Sequence, residues 1–212
     1  MRERSSNIPL REALAQIGEI RTQIVAATVF RGYRALTVAG TGVLAILASM
    51  IQAVWLPAPE SQLASYLTLW IGVAVTSIGL VAAELVRRYA ASESALVRQG
   101  ILQAVEQFKP CVLAGAFLTM SLVRFAPASA ALLPGLWAMF FSLGIFSSCR
   151  RLPQGCFLIG TFYMAAGIVS IAFARDAHAL SPYAMGITFG VGQLATAAVL
   201  YFALERKDAQ TE

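Results

Sequence analysis

Six apolar stretches, each long enough to cross a bilayer, follow one another along the chain: Ala35–Leu56, Tyr66–Val86, Gln103–Phe125, Ser129–Ser148, Pro153–Ala174 and Pro182–Leu204. A span needs about 20 mainly apolar residues to cover roughly 30 Å of hydrocarbon at ~1.5 Å per residue. No water in that layer can satisfy backbone N–H and C=O groups, so only helices or a closed barrel cross it, and runs this long are helical. Short connections make sequence neighbours antiparallel. The expected fold is all-α: a polytopic transmembrane bundle of six helices arranged as three antiparallel hairpins. Composition agrees, since 58% of the 212 residues are hydrophobic and only 13% charged, far more apolar than a soluble domain.

The placement of positive charge predicts orientation, because Lys and Arg concentrate in short cytoplasmic loops. On a six-span reading, 14 of the 16 Lys and Arg residues fall on one side, and only Arg124 and Arg175 on the other. Both termini are therefore expected in the cytoplasm, in a multi-pass protein of a bacterial inner (plasma) membrane. The net charge of +5 then attracts anionic lipid headgroups at that face and makes no case for nucleic acid. The first apolar run is too long for the core of a removable signal peptide, so it is expected to stay as an anchor.

Three regions follow. Residues 1–34 form a cytoplasmic or interfacial segment, 35–204 the six-helix transmembrane domain, and 205–212 a short cytoplasmic tail. Within the first, Leu10, Leu14, Ile17, Ile20, Ile24 and Ala27 recur at spacings of three and four, with Arg11, Glu12, Glu19, Arg21 and Gln23 between them. That periodicity predicts an amphipathic N-terminal helix on the membrane surface. It either steadies the bundle or docks a cytoplasmic partner. A second amphipathic stretch, with Val97, Ile101, Ala104, Val105 and Phe108 on its apolar side, leads to Pro110. A missing backbone N–H there predicts a kink or a helix start.

Internal similarity is visible as text. Residues 111–117 and 156–162 both read C-x-L-x-G-x-F, and Pro134, Phe141 and Gly144 share the spacing of Pro182, Phe189 and Gly192. Leu69-Trp70 matches Leu136-Trp137 more loosely. Three duplicated hairpins would give this pattern, and so would chance similarity among apolar segments. Small residues at helix-contact spacing, Thr68, Gly72 and Thr76, Gly79 and Ala83, and Gly186 and Gly190, predict close helix approach within the bundle or a dimer seam.

Ionisable groups within a membrane are expensive and often functional. Glu84 lies ~12 Å inward of the midplane at ~1.5 Å per residue, with Glu106 and Lys109 at comparable or shallower depth. The expected pairs are Glu84–Arg88, Glu106–Lys109 and, across helices, Glu84–Lys109. This cytoplasmic charge cluster either snorkels to headgroups or forms an inner gate or polar vestibule. Arg124 is expected to snorkel at the opposite end. No acid, base or lysine occupies the middle of a span, which argues against a proton relay or a carrier of charged substrates.

Gln193 is the most central strong polar group, flanked by Thr188, Gly190, Gly192 and Thr196. It forms interhelical hydrogen bonds, or it contacts a small, mostly apolar ligand for which the glycines leave room. Gln52, Thr41, Thr76, Ser77 and Thr161 are candidates to line the same cavity. Cys111, Cys149 and Cys156 share one depth but match no metal motif, and a reducing cytosol keeps them as thiols. His178, the one histidine, falls in a loop. P-loop, H-E-x-x-H, G-x-S-x-G and C-x-x-C motifs are all missing from the sequence. The chain is therefore expected to be non-enzymatic and to need no cofactor or metal.

The strings 30–34 (Phe-Arg-Gly-Tyr-Arg), Pro134-Gly135-Leu136-Trp137, and Ser181 to Gly186 leading to Gly190-Val191-Gly192-Gln193 resemble a family of small six-span bacterial integral membrane proteins. The resemblance covers the full length. It implies bacterial origin and carries no activity and no functional residue. In size and span count the chain also resembles the substrate-binding subunits of vitamin importers, whose first helix docks a partner through small residues four apart, as Ala35 and Ala39 would.

Two functions remain in view. One is binding or transport of a neutral or apolar small molecule through Gln193 and nearby hydroxyls, which predicts a cavity. The other is an accessory or signalling subunit that docks a protein partner, or a second copy, through its basic N-terminal helix. It predicts a solid bundle.

Overall fold

A computed structural model describes residues 35–93, 95–148, 155–174 and 179–202. The amphipathic helix expected in 1–34, Cys149, the Arg150–Arg151 pair, Arg175, His178 and the tail lie outside the described residues. Within them the chain is helical, with no strand, and carries six helices long and apolar enough to cross a membrane. They are α1 (Ala35–Trp55), α2 (Leu63–Ala91), α3 (Ala95–Phe125), α4 (Leu133–Ser148, preceded by a 3-10 turn, Pro127–Leu132), α5 (Gly155–Ala172) and α6 (Pro182–Leu200). The chain therefore belongs to the class of multi-pass α-helical membrane proteins.

Side-chain size decides which helices touch. α4 and α5 make the most extensive contact because Gly135 and Gly167 let their backbones meet. A Cβ on Gly135 would stand 2.6 Å from the Gly167 carbonyl oxygen, and one on Gly167 would stand 2.7 Å from Met139 Cγ. At the other end of this pair, Gly160 receives the ring of Phe146 and its carbonyl accepts the Ser142 hydroxyl at 2.7 Å. α1 packs on α6 in the same manner through Gly42, Gly186 and Gly190, opposite Gln193, Ser49 and Ile46. Close approach of small residues is how helices associate where lipid removes the hydrophobic drive between them.

Buried polar groups pin the remaining neighbours. The Trp70 indole of α2 donates to Gln52 Oε1 of α1 at 2.7 Å, while Gln52 Nε2 donates to the Leu180 carbonyl at 2.7 Å. Ser49 adds a bond to the Pro182 carbonyl at 2.8 Å. On the opposite flank the Trp137 indole of α4 donates to Thr119 Oγ1 of α3 at 2.8 Å. The neighbour order is thus α2, α1, α6, α5, α4, α3. The ring closes weakly, because α2 and α3 meet through a small cluster of Val81, Leu85, Ile101 and Ala104.

Three expectations are revised. The helix of α3 begins at Ala95 and contains Pro110, so of the two expectations for that proline the helix start is overturned, and the amphipathic lead-in and the span are one element. Proline removes a single ladder bond, and the length of α3 on both sides holds the helix together. α2 also extends beyond its apolar core, from Leu63 to Ala91. Cys111 lies well inside α3, so its C-x-L-x-G-x-F string does not open that helix.

Candidate functional site

The site begins with an irregularity in α6. Ser181 accepts a bond from the Ala184 N–H, Pro182 occupies the first turn, and an α-helical start gives way at Gly186–Val191 to π-helix. A π segment carries extra residue per turn and rotates everything after it relative to a plain α-helix; such segments recur at functional sites. Two contacts lock the rotation. Gly190 faces Ile46 of α1, and Gly192 faces the Tyr163 ring of α5, where a Cβ would come within 2.6 Å of the phenol oxygen. The next residue, Gln193, is set with its Cβ beside Gly42 and its side chain on the wall of a groove.

That groove has a volume of about 640 Å3 and takes residues from all six helices. Its floor is Phe141 and Ile145 of α4 with Gln193 and Thr196 of α6, and its sides are Ser77, Ile78 and Val81 of α2 and Val105, Val112 and Leu113 of α3. At the end where α2 finishes and α3 begins, the Leu85–Ile101–Ala104 cluster narrows it. Towards the other end none of the described residues closes it. A Cβ on Gly72, Gly79 or Gly115 would have no neighbour within 4 Å, and Val75, Ile78, Leu113 and Phe117 stand exposed. The gap between α2 and α3 therefore opens sideways, towards the hydrocarbon of a bilayer.

Few polar atoms reach the groove, and they divide into two kinds. Thr41, Ser148 and Thr196 spend their hydroxyl protons on carbonyls of their own helices, those of Val38, Gly144 and Gly192. Gln193, Ser77 and Lys109 make no side-chain hydrogen bond or ion pair among the described residues. An amide half-buried among apolar groups without a partner costs free energy, so Gln193 is poised to accept one.

The other residues singled out from the sequence are placed elsewhere. Gln52 is fully buried and holds α1 to α2 and to the chain before α6. Thr188 is buried within the π segment, and Gly190 and Gly192 serve as helix contacts behind the groove. Thr76 and Thr161 are exposed and bond to carbonyls of their own helices. Glu84 pairs with Arg88 at 2.9 Å and lies 3.9 Å from Arg87, while Lys109 pairs with neither Glu84 nor Glu106 and lines the groove instead. Arg124 stacks on Phe125 at the far end of α3. Among the described residues no three His, Cys, Asp or Glu side chains gather as metal ligands.

Sequence reasoning missed two contributors and gave a third different company. Gly42 makes the room for Gln193, and an aromatic cluster of Phe108, Phe141, Tyr163 and Phe189 backs the groove, with ring centroids 4.8–5.8 Å apart; Lys109, expected in a charge cluster, lines the groove. The only textual signal was the shared spacing of Phe141 and Phe189. Comparison with protein-family models, curated proteins and solved structures gives no match, so the reading of the site rests on its own geometry.

Proposed function

We propose that this chain is a non-enzymatic membrane protein that binds or transports a neutral or apolar small molecule, taken up between α2 and α3 and held against Gln193. The observation that carries this reading is the combination of an apolar groove of about 640 Å3 with a Gln193 amide that has no hydrogen-bond partner among the described residues. A cavity of that size lies in the ~300–1,000 Å3 range of small-molecule sites, which are mostly apolar with a few fixing polar groups. The solid bundle expected of an accessory subunit docking through residues 1–34 agrees less well with such a groove. The reading includes both termini in the cytoplasm, because Arg87, Arg88 and Arg98 cluster at the α2–α3 turn. It includes three antiparallel hairpins, two of them pinned alike by a Trp indole bonded to a residue 18 positions earlier.

The test is extraction in mild detergent followed by mass spectrometry of co-purifying small molecules. Wild-type protein should carry a stoichiometric apolar compound that Gln193→Leu loses at least tenfold. Equal recovery from both proteins would remove Gln193 from the site, and an empty wild-type protein would defeat the binding reading.

A further inference from the structure

Among the described residues, Lys109 is the one cation on the groove wall. A lysine in a membrane helix normally finds a carboxylate, a carbonyl or the headgroup layer. Two carboxylates stand near it in sequence or depth. Glu84 is engaged by Arg88 and Arg87, and Glu106, three residues earlier on the exposed surface of α3, forms no bridge to Lys109. The bond from Cα to Cβ in a helix tilts towards the N-terminus. In α3 that direction is the narrowed, Arg-bearing end of the groove, and in α6 it is the opposite end, so Lys109 and Gln193 diverge. From Lys109 the wall continues through Val112, Leu113, Ile78 and Phe141 to the open flank, and every one of these is apolar.

We propose that the groove takes a single-chain amphiphile with an anionic head, the head bonded to the Lys109 ammonium and the alkyl chain lying along α2 and α3 towards the open flank. The proposal rests on the reading above that the groove between α2 and α3 takes a small molecule, and departs from its neutral ligand in giving the head a negative charge. One positive charge with free donors calls for one anion. A volume of about 640 Å3 holds one alkyl chain, and any second chain would lie outside the groove in the lipid. The polarity also matches a bilayer, with the head near the basic end and the chain towards the midplane. A chain arriving from lipid gains little by burial against such a wall, because lipid tails are as apolar as the side chains that line it. Selectivity must therefore come from the head.

The experiment uses the full chain in phosphatidylcholine nanodiscs, with two photoactivatable probes of equal length: a diazirine-bearing hexadecanoic acid and the matching hexadecanol. Labelled peptides are quantified by mass spectrometry. The acid should label the groove faces of α2 and α3 at least fivefold more than the alcohol. Lys109→Gln should abolish that excess while leaving alcohol labelling intact, and Lys109→Arg should keep it. Equal labelling by acid and alcohol, or an excess that survives Lys109→Gln, would overturn the anionic head and leave the groove reading standing. An excess that disappears when phosphatidylglycerol replaces part of the phosphatidylcholine would assign the site to a two-chain lipid and overturn the single-chain assignment. Groove faces labelled by neither probe would defeat the binding reading itself.

Discussion

Glycines in the two flanks of this bundle have opposite surroundings. On the α1, α4, α5 and α6 side all but Gly40 are contact points: Gly135 against Gly167, Gly190 against Ile46, Gly192 against Tyr163. On α2 and α3, a Cβ added to Gly72, Gly79 or Gly115 would meet nothing within 4 Å among the described residues. Burial follows the same division, at 44% of the fourth apolar segment against 6% of the third. The same residue type thus closes one flank and leaves the other open. What differs is the neighbour, and the groove exists because α2 and α3 have each packed on only one side.

The contrast is broken most severely at the tight flank. Gly135→Ala should destabilise the protein by about 2 kcal/mol, because the new Cβ meets a backbone carbonyl and Ile171 with no flexible end to yield. Gly115→Ala should instead gain ~0.5 kcal/mol from helix propensity. Reversible unfolding in mixed micelles measures both, and equal costs would mean that the flanks do not differ. The next largest effect falls on the polar pins. Gln52→Leu strands the Trp70 indole and the Leu180 carbonyl and should cost about 1–3 kcal/mol, whereas Thr119→Val removes one bond across α3 and α4 and should cost ~0.6 kcal/mol. A reversed order would shift the main anchor from α1 to α4.

Two smaller predictions sharpen the comparison. The Tyr163 hydroxyl is buried behind the groove without a hydrogen-bond partner among the described residues, so Tyr163→Phe should gain about 0.5 kcal/mol in the same titration. A loss of that size would reveal a partner for the hydroxyl. Val105→Trp fills the groove from an exposed position on α3. It should leave stability within about 0.5 kcal/mol of wild type and abolish retention of the co-purifying compound, a result that over-packing of a closed core could not give.

The number, order and helical nature of the spans were legible in the sequence because apolar length alone sets them. Which face each helix presents was not. Gln193 was visible as a central polar residue, but its turn towards the groove depends on the π segment at Gly186–Val191, which has no signature beyond a pair of glycines. Gln52 looked equally suited to a ligand. Its real partners, Leu180 and Trp70, lie 128 and 18 residues away, and only folding brings them into range. Lys109 read as one member of a charge cluster because Glu106 stands three residues before it. The structure forms the expected Glu84–Arg88 pair but neither pair expected of Lys109, which lines the groove.

The central claim is that α2 and α3 stand apart and admit a ligand to Gln193. A density map of the protein in lipid nanodiscs tests it most directly. The account predicts α2 and α3 separated above the Leu85–Ile101 cluster, with ordered non-protein density running between them to Gln193. A bundle in which α2 and α3 close on each other, with Ile78, Val112 and Leu113 filling the space beside Gln193, would contradict it.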